Sequence, residues 1–162
     1  MLKIAICDDL RIFLRKTKEV LDKWDNKPDN LHISLFEDAD ALLQAHSIEP
    51  FDIILLDVVM PLLGGIEAAR EIRQSDKNVK IVFLTTSPDF AVESYTVKAN
   101  NYLLKPIEPQ TLYACLDELY EQIRERERCI TIRSGTAVHR VYLHDIECVE
   151  AQNKQVLFTL TE

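Results

Sequence analysis

Polar residues that could do chemistry together stand directly after short apolar runs in this chain: Asp8 and Asp9 after Leu2–Cys7, Asp57 after Ile53–Leu56, Thr85 after Val79–Leu84, and Lys105 after Asn101–Leu104. If these runs are neighbouring strands, their ends meet in one crevice. Three carboxylates crowded there repel, each pair by about 1 kcal/mol in water and by several at an effective dielectric near 20. They therefore call for a cation, and hard oxygen ligands in an incomplete cage suit Mg²⁺, which keeps waters and accepts a phosphate oxygen. Lys105 adds a point charge for a second phosphate oxygen, and Thr85 a hydroxyl donor for a third. The group so stabilised would be a phosphoryl on Asp57, with the carboxylate as nucleophile. The plainer alternative is surface carboxylates beside a structural lysine, but it has to explain four strand ends carrying such groups at once.

The elements that position these residues follow from periodicity. Phe51 to Met60 is apolar without alternation apart from Asp52 and Asp57, as expected of a strand buried on both faces, and Pro61 marks where it must have stopped. Leu2–Cys7, Leu31–Phe36, Ile53–Asp57, Val79–Leu84 and Asn101–Leu104 read as strands. Between them, Leu10, Phe13, Leu14, Leu21 and Trp24 recur at helical spacing, a second helix opens at Glu37-Asp38 and ends before Pro50, and Ile66, Ala69 and Ile72 mark a third. A fourth spans about Asp89 to Val97. A fifth runs from Glu108 to about Arg126, with Leu112, Leu116, Leu119, Tyr120 and Ile123 on one face. Strict alternation of strand and helix implies a mostly parallel sheet covered on both sides. Gly64-Gly65, the only adjacent pair among three glycines, is expected to supply a sharp turn after Asp57.

Beyond residue 128 the pattern changes. Ile130–Arg133 and Ala137–Leu143 alternate on either side of Ser134-Gly135, and Gln155–Leu160 reads as a third strand after the turn Gln152-Asn153-Lys154. Strands without helices between them belong to another fold class. Some 35 residues are too few for a stable lone β-domain, so this segment is expected to be the first part of a longer one. The organisation is thus a domain over 1–122, a helix end and linker over 123–128, and a partial all-β segment over 129–162.

Composition constrains the partners. The 162 residues carry a net charge of −8. From residue 128 on, Arg128, Arg133, Arg140 and Lys154 balance Asp145, Glu147, Glu150 and Glu162, so residues 1–127 hold the whole excess. An acidic first domain repels a phosphate backbone, and any DNA contact must come from local groups elsewhere. No apolar stretch approaches the ~18 residues needed to span a bilayer. Cys7, Cys115, Cys129 and Cys148 form no Cys-x-x-Cys pair, which fits reduced thiols in a cytoplasmic protein. His32, His46, His139 and His144 are scattered, with no metal or triad partner by spacing.

Asp8-Asp9, Asp57-Val58-Val59-Met60-Pro61 with Gly65, Thr85, and Tyr102 with Lys105-Pro106 together resemble the receiver domain of two-component response regulators, over residues 1 to about 122. The resemblance implies a flavodoxin-like, doubly wound, five-stranded parallel sheet of order 2-1-3-4-5 with five helices. It implies Asp57 as phosphoacceptor from a sensor histidine kinase. Asp9 and Asp57 are then direct Mg²⁺ ligands, Asp8 a ligand through water, and the backbone carbonyl of Val59 another. It also implies a cis peptide before Pro106. Thr85 would move toward the phosphoryl while Tyr102 turns inward, reshaping the face of the fourth helix, fifth strand and fifth helix, through which such proteins commonly form homodimers.

The chain departs from many receivers at Leu62-Leu63, more apolar than usual and suited to an apolar partner, and at Val59, whose side chain offers a hydrolytic water no hydrogen bond. Slow self-dephosphorylation is the expectation. Ile130-Thr131-Ile132-Arg133-Ser134-Gly135, Val141–Ile146 and Val149-Glu150-Ala151 resemble the start of a LytTR-type DNA-binding domain, which implies promoter DNA as a partner of the complete protein. In this chain DNA binding is expected to be weak or absent, with Asn153 and Lys154 in the first loop that could touch DNA, or simply in a polar hairpin turn. The protein is not expected to be an enzyme beyond self-phosphorylation and self-dephosphorylation. The alternatives are a phosphoaspartyl hydrolase for small molecules, which needs a second acid after the nucleophile where Val58 and Val59 stand, and an interaction module independent of phosphorylation.

Overall fold

The computed structural model describes residues 1–134, 137–153 and 155–161. They form two compact units, Met1–Leu119 and Tyr120–Glu162.

In the first unit, strands β1 (Leu2–Cys7), β2 (Leu31–Phe36), β3 (Ile53–Leu56), β4 (Lys80–Thr85) and β5 (Asn101–Leu104) make one parallel sheet of order β2-β1-β3-β4-β5. Helices α1 (Arg11–Asp22), α2 (Ala39–Ile48), α3 (Gly65–Ser75), α4 (Ala91–Thr96) and α5 (Pro109–Glu127) alternate with them. The unbroken apolar run of β3 has its cause here, because all four of its residues are fully buried. Ala5, Cys7, Ile54, Leu56, Ile81 and Phe83 pack with Leu42 of α2 and Ala68, Ala69 and Ile72 of α3. The alternate residues Ile4, Ile6, Ile53, Leu55, Val82 and Leu84 point to the opposite face and are buried as completely. Two clasps join α1 and its following turn to α5. The Trp24 indole donates to Asp117 at 2.7 Å, and the Tyr113 hydroxyl donates to the Val20 carbonyl at 2.9 Å.

On the other layer, Arg73 of α3 donates to the carbonyls of Val97, Asp76 and Lys98 at 3.0, 3.2 and 3.2 Å. Lys98 is in the left-handed region (φ 50°), and Asn100 exchanges bonds with Ile81 of β4. The C-terminal end of α4 is therefore fixed to both α3 and the sheet. At the end of α2, buried His46 accepts from the Phe51 N–H through Nδ1. Its Nε2 lies 3.4 Å from Asp76 Oδ2, too far or too oblique for a hydrogen bond.

The helical reading needs one adjustment: α4 is shorter than the expected span from Asp89 to Val97, because the residues after Pro88 form a turn closed by Ala91 N–H on the Pro88 carbonyl.

The second unit takes in the end of α5 and two antiparallel hairpins, β6 (Cys129–Ser134) with β7 (Ala137–Tyr142) and β8 (Ile146–Gln152) with β9 (Gln155–Leu160). A short 3₁₀ turn, Leu143–Asp145, joins them. The sequence reading has three strands here and lacks β8. A register shift between Ile146 and Cys148 explains why, since an extra residue in a strand inverts the alternation on its two sides and erases the period-2 signal. No described residue of the hairpins is buried. Asn153 takes φ 49° in the β8–β9 turn, whereas Lys154 lies outside the described residues. The four cysteines are free, with Cys7 and Cys115 buried. Among the described residues no helix is long and apolar enough to cross a membrane.

Candidate phosphoacceptor site

The ladder bonds of the sheet continue one residue past the strand ends and fix the backbones of the polar residues. Asp8 N–H donates to the Phe36 carbonyl at 3.1 Å, Asp57 N–H to Cys7 at 2.9 Å, and Lys105 N–H to Thr85 at 2.8 Å. These three residues are thus each tied to the last residue of the neighbouring strand, and a parallel sheet delivers them to the same edge.

The side chains converge as the sequence reading expects. Asp8, Asp9 and Asp57 can each offer a carboxylate oxygen such that these atoms all lie within 4.8 Å of one another. Lys105 Nζ bridges two of them, 2.5 Å from Asp8 Oδ2 and 3.0 Å from Asp57 Oδ2. The other oxygens are held by backbone: Leu10 N–H donates to Asp8 Oδ1 at 2.9 Å and Val58 N–H to Asp57 Oδ1 at 2.8 Å. Burial raises the Asp8 carboxyl above its ordinary pKa and Asp57 adds to this, while Lys105 and the Leu10 N–H pull the other way. Beside them the Cys7 thiol is pushed up to about 12, first by burial and then by the surrounding carboxylates. It stays protonated and donates to Met60 Sδ at 3.7 Å. The donor set, all hard oxygens around a pocket with too little positive charge, fits a hard divalent cation better than a soft one.

Thr85 and Tyr102 belong to a second group. Thr85 is fully buried at the end of β4, and its hydroxyl accepts from Ser87 N–H at 3.3 Å. The Tyr102 hydroxyl donates to the Ser87 carbonyl at 2.5 Å, and its ring packs on Phe83 with centroids 6.2 Å apart. Partial burial raises the phenol's pKa. Ser87 is therefore a bridge between the two residues. Tyr102 is already turned toward the core. Val59 lies on the loop leaving β3 and is 54% exposed.

The glycine pair acts differently from the expectation. The strained turn falls on Leu62 (φ 67°), fully exposed at the tip of a γ-turn in which Leu63 N–H bonds to the Pro61 carbonyl at 2.9 Å. Gly65 instead opens α3 against β3: its N–H bonds to the Val58 carbonyl at 2.9 Å, and a Cβ there would stand 2.0 Å from the Asp57 carbonyl oxygen. The peptide between Lys105 and Pro106 is cis, as the resemblance implies.

Residues 4–117 match the family described as the response regulator receiver domain. An uncharacterized response regulatory protein of Vibrio cholerae is 36% identical over 88 residues, covering 54% of this chain and 34% of that protein, so the chain spans about a third of that relative. The transcriptional regulatory protein BtsR of Escherichia coli is 25% identical over 182 residues, covering all of this chain and 71% of that one. Among solved structures, the response regulatory domain of protein mrkE from Klebsiella pneumoniae superposes with a TM-score of 0.69 at 25% identity, over 76% of this chain and 99% of that one. Because the match reaches across the parallel sheet and the helices that carry the acidic edge, the chain belongs to the response regulator receiver domain family.

Proposed function

We propose that Asp57 accepts a phosphoryl group from the phosphohistidine of a sensor histidine kinase and that the change is read out as transcription control. The observation that carries this reading is the juxtaposition of three carboxylates within 4.8 Å with Lys105 bridging Asp8 and Asp57. In the transfer an Asp57 oxygen bonds to phosphorus, the phosphorus–nitrogen bond breaks, and its electron pair returns to the imidazole. Asp9 and Asp57 would ligate Mg²⁺ directly, Asp8 through water, and Val59 through its backbone carbonyl; the ion supplies charge neutralisation for the phosphoryl oxygens. Lys105 and the Thr85 hydroxyl take the remaining oxygens.

A new dianion pulls on Thr85, and through Ser87 on the hydroxyl of Tyr102. The face of α4, β5 and α5 then changes shape, and Val92, Tyr95 and Leu104, all at least half exposed, supply apolar surface for a second copy. The tail is read as the opening of a LytTR-type output domain; the alignment with a transcriptional regulator over the whole chain supports that reading. This chain by itself binds DNA weakly or not at all, and a specific nanomolar complex at physiological salt would contradict that. The decisive experiment is sedimentation with beryllofluoride and Mg²⁺ on the wild type and Asp57→Ala. A ligand-dependent change that Asp57→Ala abolishes is expected; identical behaviour of the two proteins refutes the reading.

A further inference from the structure

Phe13 has no place in the acidic cluster, yet it touches the centre of it. An ammonium has three donors, and Lys105 directs two toward Asp8 and Asp57. The ring of Phe13 covers a further side, with Nζ 4.3 Å from the ring centroid. That is well inside the ~6 Å reach of a cation–π contact. The Lys105 side chain is 3% exposed, so the contact is desolvated and belongs to the stronger class. Phe13 sits one helical turn beyond Asp9, at the start of α1, and it lines one groove together with Lys105, Val20, Ile107, Leu112 and Tyr113.

The partners of Lys105 differ in one respect. A divalent cation held by Asp57 directly and by Asp8 through water would draw on the same two carboxylates that now bind the ammonium. A neutral ring is no ligand for a hard cation and cannot be taken in this way. We infer that Phe13 is a positioning residue: its ring keeps the Lys105 ammonium at the mouth of the site once the carboxylates are drawn to the metal, so that the ammonium meets the incoming phosphoryl oxygen. The inference rests on Asp57 being the phosphoacceptor.

The test replaces Phe13 with phenylalanines bearing one, two and three ring fluorines, which keep the shape while weakening the negative face of the ring. Phosphoramidate with Mg²⁺ serves as donor: the Asp57 oxygen–phosphorus bond forms, the phosphorus–nitrogen bond breaks, and nitrogen leaves as ammonia. The phosphorylation rate is expected to fall stepwise along the series, to about a tenth at three fluorines. Phe13→Leu should fall at least as far and Phe13→Trp should retain the wild-type rate. In the metal-free protein the Lys105 ε-methylene protons should resonate upfield from the ring current and return in Phe13→Leu. A flat fluorine series, or an unshifted Lys105 signal in the wild type, overturns the inference. Labelling that is the same in the wild type and Asp57→Ala defeats the phosphoacceptor reading and the inference with it, whereas Asp57-dependent labelling at one rate across the series defeats the inference alone.

Discussion

Replacing Gly65 with alanine probes how the acidic end of β3 is held. The added Cβ falls 2.0 Å from the Asp57 carbonyl oxygen, 2.9 Å from its carbonyl carbon and 3.0 Å from Val58 Cα. All three are backbone atoms, so no side chain can rotate out of the way. A carbon and an oxygen in contact need about 3.3 Å, so the start of α3 or the loop after Asp57 must shift by more than about 1 Å. Overpacking of this kind costs about 1–3 kcal/mol, of which the better helix propensity of alanine returns at most about 1. A net loss of about 2 kcal/mol lowers the melting temperature by about 8 °C for a unit of this size. The control is Gly64→Ala. Its Cβ meets Glu67 Oε2 at 2.6 Å, the far end of a flexible side chain, and the Val58 carbonyl only at an ordinary 3.5 Å. It should stay within about 0.5 kcal/mol of wild type. Thermal melts and urea titrations of both variants decide the matter, and the beryllofluoride response should be weakened in Gly65→Ala alone. Equal melting temperatures for the two variants would refute the reasoning.

Lys105→Met leaves Asp8 and Asp57 facing each other without the ammonium, both side chains under a tenth exposed. The metal-free protein should lose about 3 kcal/mol, and Mg²⁺ should raise the variant's melting temperature by more than the wild type's; an equal rise in calorimetry counts against the electrostatic account. His46 should make stability depend on pH. Burial lowers its pKa below 6.5 despite the pull of Asp76, so the folded state binds fewer protons than the unfolded state below that pH. Stability is then full above 6.5 and falls as the pH drops through it, and His46→Gln should flatten this slope in urea unfolding between about pH 7 and 5; an unchanged slope would assign it to other groups. Phospho-Asp57 should be long-lived because Val59 gives a water nothing to bond to, and Val59→Asn should shorten the lifetime by about tenfold. A lifetime of seconds in the wild type with Mg²⁺ would contradict this.

Much of the first unit was legible because each signal was local. The apolar run ending at Asp57 announced a strand buried on both faces, and the polar residues at four strand ends announced the crevice. The parts that were hidden depend on contacts across space or on a break in period. Phe13 read as one more residue on the inner face of α1, since nothing in its neighbourhood speaks of a lysine 92 positions later, although its place one turn after the acidic pair was a usable clue. Gly65 was noticed for the wrong reason: composition suggests turning, whereas the cause is the approach of α3 to a carbonyl. Strand β8 was lost to a bulge at Ile146 and Cys148. Thr85 and Tyr102 could be singled out by their positions, but their common partner Ser87 could not, because both bonds go to its backbone.

The clamp that Arg73 places on the carbonyls of Val97 and Lys98 has a mechanical consequence. It makes the end of α4 remote from Thr85 a fulcrum. Helix α4 has six residues and is therefore about 9 Å long, so a tilt of about 10° about that end carries its first turn through about 1.5 Å while Val97 hardly moves. Leverage is greatest next to the segment of Ser87 and Asp89, where a pull on Thr85 would be applied. A short rod hinged at its far end would turn a small local displacement into a change of slope and would tip Val92 and Tyr95 together.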